Sequence, residues 1–207
     1  PTPVPTPEPT PAPTPTPTPA LTPEPPPTEE VSGDQVQSID DITTADEVST
    51  FQLKEPIKVG EQDVEILIVG TDKKDRITGS SDGEILAGGD GKDILQGGDG
   101  ADGFLFQDPE GFGKKEADKV KDFDPEEGDS ILVDKDIFDL GNKVKLKVVT
   151  GKEASKNASI TEEDFIYDDK KGFLYFNENG KDDGWGDGGL FVKLKGAPEL
   201  AASDFTI

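Results

Sequence analysis

The chain of 207 residues has no cysteine, no methionine and no histidine, and a single tryptophan. Without cysteine it forms no disulfide and offers no thiolate to a soft metal, and without histidine it lacks the usual imidazole ligand and general base. Zinc sites of the HExxH kind and Ser-His-Asp or Cys-His arrangements are excluded on the same ground. Basic residues are few: 21 lysines and arginines stand against 45 aspartates and glutamates, a formal charge of −24. That balance argues against nucleic acid or an anionic membrane as partner. No apolar run reaches about 18 residues, so no spanning helix is expected, and no basic amino-terminal signal peptide is visible. The counter-charge that fits is a hard, oxygen-ligated divalent cation, calcium above others. Outside the repeats many of the acids simply keep the surface soluble. Paired carboxylates that could cleave a glycoside lie here in loops and turns with no sign of an enclosing cleft, so no enzyme activity is expected. Opening at Pro1 with no methionine anywhere, the chain reads as a fragment or processed product whose cargo lies upstream.

What is present is a nine-residue unit in tandem at 70–105: GTDKKDRIT, GSSDGEILA, GGDGKDILQ and GGDGADGFL, with no insertion. Glycines at positions 1, 2 and 4 admit positive φ and turn carbonyls inward, and the acid at position 6 adds a carboxylate. Position 8 (Ile77, Leu86, Leu95, Phe104) is the apolar residue a short strand would bury. Units three and four fit fully, through Gly88, Gly89, Gly91 and Asp93, then Gly97, Gly98, Gly100 and Asp102. The first two are degraded, with Lys73 and Lys74 in the first loop and Glu84 replacing the aspartate of the second. A flexible glycine-aspartate linker is the alternative, and the phased apolar positions oppose it.

Residues 1–28 alternate proline with threonine, alanine or glutamate, a disordered polyproline II spacer whose threonines are either bare or carry O-linked sugars. Residues 29–58 read as an acidic, largely irregular linker with a short helix around Thr44 to Phe51, opened by Thr43 or Thr44. The run VEILIV, Val64 to Val69, predicts a strand leading into the first unit, with the folded part starting near Pro56. Beyond Phe106 antiparallel signals predict strands near Lys119–Phe123, Ser130–Val133, Val144–Val149, Phe165–Tyr167, Phe173–Phe176 and Leu190–Leu194. Asn177, Asn179, Lys181, Asp182 and Asp183 have EF-hand-like spacing, but Asp182 and Gly188 stand where glycine and glutamate are required, which favours a hairpin loop. Trp185 within it either stacks on a sugar or covers the sheet edge.

The nonapeptide is similar to G-G-x-G-x-D-x-U-x, the repeat of calcium-binding parallel β-rolls in RTX (haemolysin-type) proteins. DKVKDFDPEEGDSILV resembles the D-x-I-x-D-F-x-x-G-x-D-x-I segment that follows the repeats in serralysin-type proteases. FIYDDKKGFLYFNENG and LFVKLKGAPELAASDFTI resemble the closing hairpin and terminus of those proteases and of cyanobacterial calcium-binding surface proteins. The likeness covers roughly residues 64–207 and only the non-catalytic half of such proteases. It implies an all-β fold: a short calcium-binding parallel β-roll at 59–107 and an antiparallel cap at 108–207 that doubles as a type I secretion region.

The resemblance also implies a ligand set. In that family two nonapeptides make one coil, so each loop stacks on the next but one with an ion between them. Thr71, Lys73 and Asp75 would then face Gly88, Asp90 and Asp93 around one calcium. Ser80, Asp82 and Glu84 would face Gly97, Asp99 and Asp102 around a second. The half-sites Gly89, Gly91, Asp93 and Gly98, Gly100, Asp102 face downstream, toward Asp108, Asp118, Asp122 and Asp129 as candidate partners or as ordinary turn aspartates. The function implied is calcium-driven folding of a secreted bacterial protein exported by a type I secretion apparatus. Two alternatives stay open: a cell-surface head on a proline-rich stalk, with a glycan or protein partner, and the non-catalytic tail of an upstream enzyme.

Overall fold

Each six-residue glycine loop turns the chain through half a coil, so successive three-residue strands fall in opposite sheets and pair with the next strand but one. The computed structural model describes residues 35–36, 47–107, 112–151 and 161–207. These hold β1 (Gln35–Val36), β2 (Ser49–Val59), β3 (Gln62–Val69), β4 (Arg76–Thr78), β5 (Ile85–Ala87), β6 (Ile94–Gln96) and β7 (Gly103–Phe106). They continue through β8 (Asp118–Val120), β9 (Ser130–Val133), β10 (Leu146–Val149), β11 (Phe165–Asp168), β12 (Phe173–Phe176), β13 (Gly189–Leu194) and β14 (Phe205–Thr206). The fold is all-β, the described residues forming two seven-stranded sheets of order β1-β2-β3-β5-β7-β9-β14 and β10-β11-β12-β13-β8-β6-β4.

Odd-numbered strands of the repeat pair in parallel in the first sheet and even-numbered ones in the second, Leu86 opposite Phe104 and Ile77 opposite Leu95. Each such pair is two repeat units apart, so the chain winds as a parallel β-roll. Between the sheets lie the position-8 side chains Ile77, Leu86, Leu95 and Phe104, all at most 2% exposed. Val120 and Ile131 extend this core, which merges into Phe106, Phe138, Phe165, Phe176, Phe191 and Phe205 under the last strands. Phe165 stacks on Phe205 with ring centroids 5.0 Å apart, which ties β14 to the cap.

Three expectations change. The parallel ladder runs past the expected boundary at 107, because β8 pairs in parallel with β6 and β9 with β7. The reason is that Asp118-Lys119-Val120 and Asp129-Ser130-Ile131 repeat the acid-x-apolar triplet of Asp93-Ile94-Leu95, joined by loops of other lengths. Antiparallel pairing is confined to β11-β12-β13 beyond the roll, while β10 joins β11 in parallel. The expected irregular linker contains β1 and β2, and Ser49 to Phe51, expected in a helix, are strand.

The long β2–β3 hairpin bends at a register shift between Gln52 and Ile57. Its tip crosses the back of the first sheet, where Gly60 N–H donates to Ser130 Oγ at 3.2 Å. Leu53, Val59, Val64 and Leu67 thereby bury Ile85, Leu105 and Leu132 in a second core. The sheet face needed a cover, and burying those aliphatics outweighs the polar character of STFQLKEP at 49–56. The proline-rich stretch 1–28, residues 43–46 of the expected helix and Asp108 lie outside the described residues.

Candidate metal centre

The β-roll places the loops in two stacked columns, one along each edge. In the first, the loop of Thr71, Lys73 and Asp75 lies on that of Gly88, Asp90 and Asp93. In the second, Ser80, Asp82 and Glu84 lie on Gly97, Asp99 and Asp102. Each contact is marked by a glycine with no room for a side chain: a Cβ on Gly91 would come 2.9 Å from the Lys73 carbonyl carbon, and one on Gly100 3.0 Å from that of Asp82. Gly89 and Gly98 press on the carbonyl oxygens of Thr71 and Ser80 and hold φ of 83° and 118°, which a side chain would also oppose.

The position-6 acids form ladders through backbone N–H groups. Asp75 N–H donates to Asp93 Oδ1 at 2.8 Å, and Asp93 N–H donates to Asp118 Oδ1 at 2.7 Å. On the other edge Glu84 N–H donates to Asp102 Oδ1 and Asp102 N–H to Asp129 Oδ1, both at 2.9 Å. Asp122 accepts from Gly97 N–H at 3.1 Å and Gly98 N–H at 3.3 Å. Asp118, Asp122 and Asp129 therefore meet the downstream half-sites.

Position 2 divides the ladder into two kinds of acid. In the degraded units Thr71 N–H and Oγ1–H both donate to Asp75 Oδ2 at 2.7 Å. Ser80 N–H donates to Glu84 Oε2 at 2.9 Å, and its hydroxyl donates to Glu84 Oε1. These two carboxylates are satisfied by their own loops. In the intact units glycine supplies no hydroxyl, and Asp93 Oδ2 and Asp102 Oδ2 are buried with no hydrogen-bond partner. Asp93 is 0% and Asp102 1% exposed. Burial pushes Asp93 up to about 7 and Asp102 to about 8, against the ordinary 3.8, with neighbouring carboxylates adding to the effect. Burial likewise lifts Asp118 to about 7 and Asp129 to about 6.

At the remaining sequence-derived positions, Lys73 N–H donates to Thr71 Oγ1 and Asp82 N–H to Ser80 Oγ, both at 3.1 Å. Asp90 and Asp99 expose their side chains, although Asp90 still adds to the field that raises Asp93, and Asp99 N–H donates to Ser80 O at 3.2 Å. Lys73 turns its ammonium outward to Asp72 at 3.8 Å. Among the described residues no three acidic side chains converge as a metal cluster. A cation in these loops would draw on carbonyl oxygens with one carboxylate per loop, a donor set that suits a hard ion. The buried, donorless oxygens of Asp93 and Asp102 fit that requirement. The hydroxyl caps of Thr71 and Ser80 escaped the sequence reading, though the spacing Thr71-x-x-x-Asp75 and Ser80-x-x-x-Glu84 was there to find.

The segment of EF-hand-like spacing, expected as a hairpin loop, is the loop between antiparallel β12 and β13, closed by Asn177 Nδ2–H donating to the carbonyls of Thr161, Glu163 and Gly180.

No protein-family model and no curated protein matches the chain. Among solved structures it is similar to the solution structure of the AlgE6R3 subunit from the Azotobacter vinelandii mannuronan C5-epimerase. Identity is 23%, over 67% of this chain and 80% of that one, with a TM-score of 0.37. The β-roll itself rests on the strand register described above.

Proposed function

We propose that this chain is a calcium-binding β-roll module, non-catalytic in itself, that folds when a secreted bacterial protein meets calcium outside the cell. The observation that supports this most is the pair of buried carboxylate oxygens, Asp93 Oδ2 and Asp102 Oδ2, left without a donor where the repeat is intact. An ionised carboxylate in that setting is strongly unfavourable unless a proton or a cation neutralises it. Calcium takes six to eight oxygens in flexible geometry and tolerates carbonyl-rich loops, whereas magnesium holds to a small octahedron. Asp93 and Asp102 would hold the ions together with loop carbonyls, the bound ion supplying charge neutralisation and nothing further.

At low calcium, repulsion within a chain of net charge −24 keeps the loops apart, which suits export of an unfolded chain through a type I secretion apparatus. Phe205 and Thr206 form the last strand, paired in parallel with β9. Residues 1–28 are then a spacer between the module and whatever it accompanies. Calcium titration by far-ultraviolet circular dichroism and calorimetry tests the reading: β-structure should grow in a few millimolar calcium and poorly in magnesium. Identical spectra in chelator and in calcium would refute it.

A further inference from the structure

The second sheet turns Ile77, Leu95 and Val120 into the core, so the residues between them face outward. Across that outer face the register aligns Arg76 with Ile94, Ile94 with Lys119, Lys119 with Lys193, and Lys193 with Phe173. On a chain of net charge −24 this is an inversion of sign. The cations are crowded: Lys92 Nζ and Lys193 Nζ both donate to the Lys114 carbonyl, at 2.7 and 3.4 Å. Desolvation, then Lys92 and Lys114, hold the Lys193 ammonium below its ordinary pKa. Of the acids nearby, Asp118 accepts the Asp93 N–H and Asp168 pairs with Lys171 at 2.6 Å, while Asp183 and Asp187 flank Trp185 on its exposed loop.

Beside the cations lies a platform of half-buried rings. Lys171 and Lys193 each place an ammonium 5.9 Å from the Phe173 centroid. Phe173 leans on Tyr175 at 6.4 Å, and Trp185 stacks on Tyr175 at 4.9 Å with 12° between planes. Trp185, Tyr175 and Phe173 all keep partial exposure, although enclosing them in the core would have stabilised the fold further.

We propose that this face, from Trp185 across Phe173 to Lys193 and Lys119, binds an acidic polysaccharide, its pyranose rings on the aromatic side chains and its carboxylates against the lysines. The chemistry favours a sugar over a nucleic acid because the patch is built of lysine point charges, with Arg76 the one guanidinium in the sequence, and lacks the guanidinium forks that match phosphate bidentately. The inference does not depend on the cation sites.

Trp185 is the only tryptophan, so its fluorescence reports this face alone. With the full chain at fixed calcium, polygalacturonate should shift or quench that emission saturably, while the fully methyl-esterified polymer and dextran should not. Lys119→Gln with Lys193→Gln should weaken binding by about tenfold, the scale of two partly desolvated charge contacts, while the circular dichroism of the calcium-saturated fold stays that of the parent chain. Calcium bridging between polymer and loop aspartates would be untouched by those substitutions. Three outcomes overturn the proposal: no change in Trp185 emission, undiminished affinity in the double variant, or an oligothymidylate that binds as tightly as polygalacturonate. Failure of calcium-induced folding would instead strike the β-roll reading and is seen separately in the circular dichroism.

Discussion

At position 2 of each repeat one side chain decides what the acid at position 6 is free to do. Thr71 and Ser80 supply both a hydroxyl and an N–H to Asp75 and Glu84, and glycine leaves one oxygen of Asp93 and of Asp102 without a donor. Asp93→Asn keeps the acceptor for the Asp75 N–H and removes a desolvated charge. It should therefore raise stability in chelator while moving the calcium midpoint upward, and Glu84→Ala should move that midpoint less. Paired denaturation curves and calcium titrations check this, and a larger shift for Glu84→Ala would return the ligand assignment to the capped acids. Gly98→Ala, by contrast, meets both the Ser80 carbonyl and a φ of 118°, and should cost about 1–3 kcal/mol in either condition. The sequence made the position-6 acids legible because glycines and apolar residues phase them. It concealed which acids are capped, since a hydroxyl four residues upstream looks like any other degraded repeat position.

At the scale of elements, the nine-residue period revealed β4 to β7, the family resemblance implied their stacking on the next unit but one, and the period failed where loop length changed. β8 and β9 keep the acid-x-apolar triplet, but residues 107–117 and 121–129 replace the six-residue loops, so the period is lost while the ladder persists. β2 was hidden for another reason. Its charges and Pro56 read as linker, and its strand state is imposed by the aliphatic face it covers rather than by its own propensity. That cover yields a prediction. Leu105 is 6% exposed between the sheet and the hairpin, so Leu105→Ala should destabilise by about 2–5 kcal/mol. Val148, 50% exposed on β10, should tolerate alanine within about 0.5 kcal/mol. Thermal unfolding of both variants in saturating calcium makes the comparison, and equal losses would mean that the hairpin does not seal the back of the β-roll.

For the molecule as a whole, protons and calcium compete for the same buried charge. Asp93 and Asp102 sit at about 7 and about 8 in the fold against an ordinary 3.8, so without a cation the folded state binds more protons than the unfolded chain between roughly pH 4 and 8. Stability that these groups contribute is therefore fully present below about pH 4 and is lost as pH rises through 7 to 8. Repulsion across a net charge of −24 acts in the same direction. In chelator, the melting temperature should thus rise as pH falls from 8 toward 5, opposite to a protein whose carboxylates are held low by ion pairs. Calcium requires the ionised form, so saturating calcium should flatten or reverse that slope, and the calcium midpoint should itself climb as pH falls. Each site at tenfold excess over its Kd adds about 1.4 kcal/mol, so two sites add about 3 kcal/mol, comparable to the stability of a marginal domain. Melting curves at pH 5 and pH 8, with and without calcium, form a closed thermodynamic cycle. A melting temperature in chelator that falls on acidification would show that Asp93 and Asp102 are already neutralised by something other than a proton or a cation, and the coupling between folding and calcium would have to reside elsewhere in the chain.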